Sequence, residues 1–138
     1  MISITDIIIM LLMVIYAWGG SFLWHELMHI KSQGIKNTGR IFVHPSGMTV
    51  ATDNKRWPYL CRLAGGLYSG IIHLIVGGFA WYYGIWAFYV PLITLGMINV
   101  IYGVYEAEVG TKGRYKIYGI TTIIMIIFWI IYTSLYVI

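Results

Sequence analysis

Long apolar blocks separated by short polar connections dominate this sequence. Four of the blocks are long enough to cross a bilayer, because a helix needs about 20 mostly apolar residues to span the hydrocarbon core. The blocks predict helical spans over residues 3–32, 58–82, 85–107 and 115–137. The pattern therefore predicts an all-α integral membrane protein with four transmembrane helices, forming a single membrane domain over residues 1–138.

The connection after the first block has a different character. β-branched and aromatic residues flank His44-Pro45-Ser46-Gly47, which has the composition of a turn, and Gly34 is a suitable stop for the preceding helix. This pattern predicts a short β-hairpin over residues 40–52. Because an isolated hairpin is only marginally stable in water, we expect it to rest on the membrane surface or on the helices.

Composition supports the membrane assignment. Apolar residues make up 59% of the chain and charged residues 10%, which is too few charges for an ordinary soluble surface. The first block differs from a secretory signal, since no Lys or Arg precedes it, Asp6 lies near its start, and it exceeds a signal core in length. We expect it to be a retained span, formed by one uninterrupted helix.

The positions of the basic residues predict an orientation in the membrane. All nine lie in or beside the first and third connections: Lys31, Lys36, Arg40, Lys55, Arg56, Arg62, Lys112, Arg114 and Lys116. The positive-inside rule then places these connections in the cytoplasm and both termini outside. The net charge of +4 is explained by orientation and contact with anionic lipid, so no nucleic-acid partner is expected.

A metal-binding motif lies near the end of the first block, in the segment His25-Glu26-Leu27-Met28-His29. Residues four apart stand on one face of a helix, so both imidazoles can reach one ion. Two imidazoles with a carboxylate and an open position suit a catalytic Zn2+, and Glu26 is close enough to take a proton from water. The alternative is a pair of interfacial histidines bonded to backbone or headgroups. The cost of ionisable residues at membrane depth favours the functional interpretation.

Few carboxylates are available as a third zinc ligand. Asp6 lies roughly 30 Å away along the same helix, and Asp53 lies in the connection beyond the hairpin. Glu106 and Glu108 are predicted at the cytoplasmic end of the third helix, at the depth of His25.

Helical spacing distinguishes these two glutamates. Asn99, Tyr102 and Glu106 occur at i, i+3 and i+7 and therefore share one helical face. Glu106 is the predicted ligand. Glu108 stays an alternative if the helix ends before Val109.

The second predicted helix carries small residues at Ala64, Gly65, Gly66, Ser69 and Gly70, which allow close approach of a neighbouring helix. This helix is expected to be central. His73 lies deep within it and is interpreted as a hydrogen-bonded interhelical histidine rather than a ligand.

Together these residues resemble the site-2 proteases, intramembrane zinc metalloproteases that cut substrate helices within or beside the membrane. The motif from His25 to His29 followed by Gly34-Ile35-Lys36 and a hairpin is similar to the family's zinc helix and membrane-associated sheet. Leu63-Ala64-Gly65-Gly66 resembles its next small-residue motif, and Asn99 with a following acidic residue resembles its third-ligand segment. The resemblance implies that the acidic residue binds zinc and that Asn99 holds substrate. Here a Glu replaces the family's Asp, and its spacing from Asn99 is seven or nine instead of eight.

The predicted function is hydrolysis of peptide bonds in membrane-associated substrates, with zinc-activated water and Glu26 as general base. The alternative is a non-catalytic membrane metal-binding or adaptor protein of the same fold. A metal or haem carrier using His25, His29 and His73 is a third possibility, but it gives Glu26 no necessary role.

Overall fold

The computed structural model describes residues 3–32, 40–44, 47–51, 59–109 and 114–136. Five helices and two strands follow one another along these segments. They are α1 (Ile4–Trp18), α2 (Gly20–Ser32), β1 (Arg40–His44), β2 (Gly47–Ala51), α3 (Tyr59–Tyr82), α4 (Trp86–Val109) and α5 (Arg114–Tyr136).

The first apolar block begins with a capping box. The Ser3 hydroxyl accepts a hydrogen bond from the Asp6 amide at 3.1 Å, and the Asp6 carboxylate accepts one from the Ser3 amide at 2.9 Å. These bonds satisfy backbone donors that the first helical turn leaves without partners. Asp6 is therefore a capping residue at the start of α1, remote from the histidine motif.

The prediction of one uninterrupted first helix is wrong, because the chain turns at Gly19 and divides the block into α1 and α2. Gly19 still donates to the Ile15 carbonyl at 3.0 Å and accepts from the Leu23 amide at 3.0 Å, so helical hydrogen bonding continues across the interruption. The ring of Tyr16 occupies the space where a side chain at position 20 would lie. Adjacent glycines followed by Ser21 are a composition at which helices are often interrupted.

Three helical segments within the described residues are long and apolar enough to cross a membrane: Ile4–Ser32, Tyr59–Tyr82 and Trp86–Glu108. Large apolar side chains such as Leu60, Ile101 and Ile123 are exposed on the outer faces of the helices, as contact with lipid allows. The predicted fourth span coincides with α5, which is a helix of 23 residues but is not among these three segments.

Helices α3 and α4 form the centre of the fold, and glycines bring their backbones together. A Cβ at Gly66 would overlap the backbone of Gly103, and a Cβ at Gly70 would overlap the carbonyl of Gly96. Helix α2 packs against α3, while α1 packs mainly against α2, α4 and α5. Of the small residues predicted to mark a central helix, Gly66 and Gly70 lie where α3 meets α4, and Gly65 faces α2.

The two strands form an antiparallel pair within residues 40–52, where the sequence predicts a hairpin. Arg40 pairs with Ala51, and His44 pairs with Gly47. Strand β2 lies beside α2, the helix that carries the histidine motif. The predicted turn residues Pro45 and Ser46 lie outside the described residues.

Candidate metal centre

Three ionisable side chains from two helices converge at one buried point. His25 and His29 extend from α2 and Glu106 from α4, with exposed fractions of 0%, 1% and 2%. The His25 Nε2 atom lies 2.9 Å from Glu106 Oε2 and 3.1 Å from His29 Nε2, and His29 Nε2 lies 3.2 Å from Glu106 Oε2. These three residues could hold a metal ion.

The triangle formed by the three atoms fits a small tetrahedral cation. Ligand atoms bound at about 2.0–2.1 Å to tetrahedral zinc lie about 3.3–3.4 Å apart, slightly more than the distances between these atoms. Two imidazole nitrogens and a carboxylate oxygen repel one another at this separation unless a cation or a proton lies among them. The donor set, two imidazole nitrogens and one carboxylate oxygen, is one that catalytic zinc sites use.

A backbone carbonyl orients His29. Its Nδ1 atom lies 2.7 Å from the carbonyl oxygen of Cys61, and because that oxygen can only accept, Nδ1 carries the proton. The lone pair is therefore on Nε2, the atom that faces the cluster. Such a bond to the second nitrogen is the usual support of a metal-binding histidine.

The helix that supplies this carbonyl also makes room for the ring. A Cβ at Gly65 would overlap Nε2 and Cε1 of His29, so only glycine lets α3 pass so close. On the other side of the cluster, the Tyr102 ring lies 5.3 Å from the His25 ring between centroids. Packing and hydrogen bonding together hold both imidazoles within the bundle.

Glu26 follows His25 on α2 and is fully buried. Burying a carboxylate within a membrane protein is costly, so its presence beside the cluster calls for a function. It directly follows His25, a member of the candidate metal centre, in the sequence.

Helix α4 separates the two candidate third ligands. It continues through Val109, so Glu106 and Glu108 point in different directions. Glu106 joins the histidines, whereas Glu108 is exposed and accepts a hydrogen bond from the Tyr59 hydroxyl at 3.0 Å. The structure therefore brings Glu106 to the cluster and leaves Glu108 outside it, while Asp53 lies outside the described residues.

Asn99 lies two turns from Glu106 on the same buried face of α4, as the spacing predicts. Its Nδ2 group donates to the Ser21 hydroxyl at 3.1 Å and to the Leu95 carbonyl at 2.9 Å. Sequence reasoning missed Ser21. The helical spacing could have identified it, because Ser21 precedes His25 by four residues and shares its helical face.

His73 is hydrogen-bonded between helices, as the sequence predicts. Its Nδ1 atom lies 2.6 Å from the Ser69 carbonyl and its Nε2 atom 2.9 Å from the Tyr16 hydroxyl. Because the carbonyl only accepts, Nδ1 holds the proton and Tyr16 donates to Nε2. The bond between Tyr16 and His73 links α1 to α3, a contact that the sequence did not reveal.

Comparisons with protein families, with curated proteins and with solved structures find no match to this chain.

Proposed function

We propose that this protein is an intramembrane zinc metalloprotease of the site-2 protease kind. The observation that carries the proposal is the meeting of His25, His29 and Glu106 at separations of 2.9–3.2 Å, with Glu26 buried one residue from His25. The spacing of His25, Glu26 and His29 supports a hydrolytic zinc site. The positions of the basic residues, which are independent of this geometry, support its location at the cytoplasmic end of the bundle.

The three residues of the cluster would hold the zinc, and His29 would keep its orientation through the Cys61 carbonyl. When bound, zinc supplies a Lewis acid that polarises a peptide carbonyl and makes water easier to deprotonate. Glu26 accepts a proton from the attacking water and passes it to the amine that leaves. Burial of the site excludes bulk water from these charges and strengthens their effect on the reaction.

We assign the binding of an extended substrate segment to Asn99 and to the two-stranded sheet. The burial of Asn99 two turns from Glu106 supports its role, and Ser21 would keep its amide in place. Strand β2 lies beside α2, so an edge of the sheet could pair with substrate by β-strand addition. The substrate would be a membrane protein or peptide in the surrounding lipid bilayer.

Four spans and an outward position of both termini belong to this proposal, with α5 as the fourth span. Accessibility labelling of single cysteines in a Cys61→Ala background tests the orientation. We expect Lys55→Cys and Lys112→Cys to react from the cytoplasmic side, and Tyr83→Cys in the exposed α3–α4 connection to react from outside. Labelling of the two lysine positions from opposite sides would reject the four-span arrangement.

The function is tested by metal removal from the purified full-length protein. We expect the protein to cut a set of single-span peptides in liposomes, to lose activity on treatment with a zinc chelator, and to regain it when zinc is returned. Mass spectrometry of the products locates the cut. A protein that binds zinc in stoichiometric amount but cuts no peptide would be a non-catalytic metal-binding or adaptor protein.

A further inference from the structure

A second polar cluster lies deeper in the bundle than the candidate metal centre. It consists of Tyr16 on α1 and of Ser69 and His73 on α3. Ser69 and His73 are buried, with exposed fractions of 0% and 1%, and Tyr16 is half-buried. Polar groups at membrane depth are costly, so a cluster of three suggests a function beyond packing.

The cluster lies one to two helical turns further along α3 than the residue that faces the metal centre. Gly65 faces His29, Ser69 follows one turn later, and His73 follows after one more turn. The eight residues from Gly65 to His73 correspond to about 12 Å along the helix axis. An extended chain advances about 3.3 Å per residue and would cover that distance in about four residues.

The cluster offers both a donor and an acceptor to a ligand. The Ser69 hydroxyl is buried and has no hydrogen-bond partner among the described residues, so it can donate. Tyr16 donates its proton to His73, which leaves the lone pairs of its hydroxyl oxygen as acceptors. A primary amide presents an N–H donor and a C=O acceptor, and is therefore complementary in type to these two groups.

A ligand would reach the cluster between α1 and α3. Helix α1 packs mainly against α2, α4 and α5, and the bond between Tyr16 and His73 joins it to α3. Because Ser69 and His73 are buried, α1 would have to move away from α3 to admit a substrate segment.

We propose that Tyr16, Ser69 and His73 form a specificity subsite that binds an Asn or Gln side chain of the substrate, about four residues from the scissile bond toward the outer leaflet. The proposal rests on the proposed proteolytic function, and it adds the chemical class of residue that the substrate must carry.

Binding to the zinc-loaded Glu26→Gln protein in phosphatidylcholine liposomes tests the subsite without cleavage. The probes are Leu-rich single-span peptides in which one Asn is moved along the sequence, and energy transfer reports their affinity. We expect one register to bind about tenfold more tightly than the all-Leu peptide, a gain of the size that interhelical hydrogen bonds give in model membrane peptides. Equal affinity at every register would overturn the subsite.

Ser69→Ala distinguishes a role in substrate recognition from a role in the stability of the protein. It removes a hydroxyl without a partner among the described residues, so stability should be unchanged or higher, while the preference for Asn should fall to about twofold or less. Ser134→Ala on α5, an exposed site, is the matched control and should keep the preference. A Ser69→Ala protein that melts earlier yet keeps the preference would show a purely structural role and reject the subsite.

Tyr16→Phe provides a second variant, because it keeps the ring and removes the hydroxyl, which is the acceptor for the ligand and also the donor to His73. We expect it to lose the preference as well, and retention of the preference in this variant would also overturn the proposal. Cleavage by the wild-type protein is scored separately. A preference without cleavage would reject the protease and leave a polar binding site, whereas cleavage without any preference would reject the subsite alone.

Discussion

Replacing Glu106 by Ala is expected to remove most of the zinc from the purified protein and to abolish cleavage. The residue supplies one of three protein ligands, and its Oε2 atom lies 2.9 Å and 3.2 Å from the two histidine nitrogens. Loss of a group that merely supports a ligand lowers metal affinity about 10- to 100-fold, so loss of a ligand itself should cost at least as much. Metal content measured after dialysis, together with the cleavage rate, checks the expectation.

Glu108→Ala is the matched control for this experiment. Glu108 lies two residues away on the same helix, carries the same charge, and is exposed against the Tyr59 hydroxyl. Its removal should leave zinc content close to that of the wild type, since a solvated carboxylate outside the cluster contributes little. The opposite ranking would assign the metal to Glu108, and full zinc occupancy in both variants would leave the third position to another ligand.

Helical periodicity made much of the candidate site predictable. The spacing of four residues places His25 and His29 on one face, and the spacing of seven places Asn99 and Glu106 on another. Both pairs are buried in the structure. The choice between Glu106 and Glu108 depended on where α4 ends, and sequence patterns locate helix ends with less certainty than helix faces.

Tertiary contacts limited what could be predicted about the first helix. The helix is interrupted at Gly19, next to Gly20, where the Tyr16 ring occupies the position that a side chain would take. A pair of glycines makes an interruption of the helix less costly, but the sequence alone does not determine whether the helix is interrupted there.

The contacts that support the site could also not be predicted from the sequence. The carbonyl that orients His29 comes from Cys61 on another helix, and a backbone oxygen has no sequence signature. The bond from Tyr16 to His73 joins residues that are 57 positions apart. Such pairings follow from how the helices assemble, which apolar periodicity alone leaves undetermined.

The second large effect is expected for Glu26→Gln, which should retain zinc and lose proteolysis. Gln has nearly the same size, so it fits the fully buried position, but it cannot accept the proton of the attacking water.

General-base catalysis contributes about 10²–10⁴-fold to a rate, so we expect kcat to fall by roughly that factor or more. Zinc content should change little because Glu26 is not one of the three clustered ligand residues. The same substitution at the exposed Glu108 serves as the control and should preserve kcat. If Glu26→Gln keeps full zinc and still cleaves the substrate, another residue is the general base. If the variant loses both zinc and activity, Glu26 supports the metal centre and does not act in proton transfer.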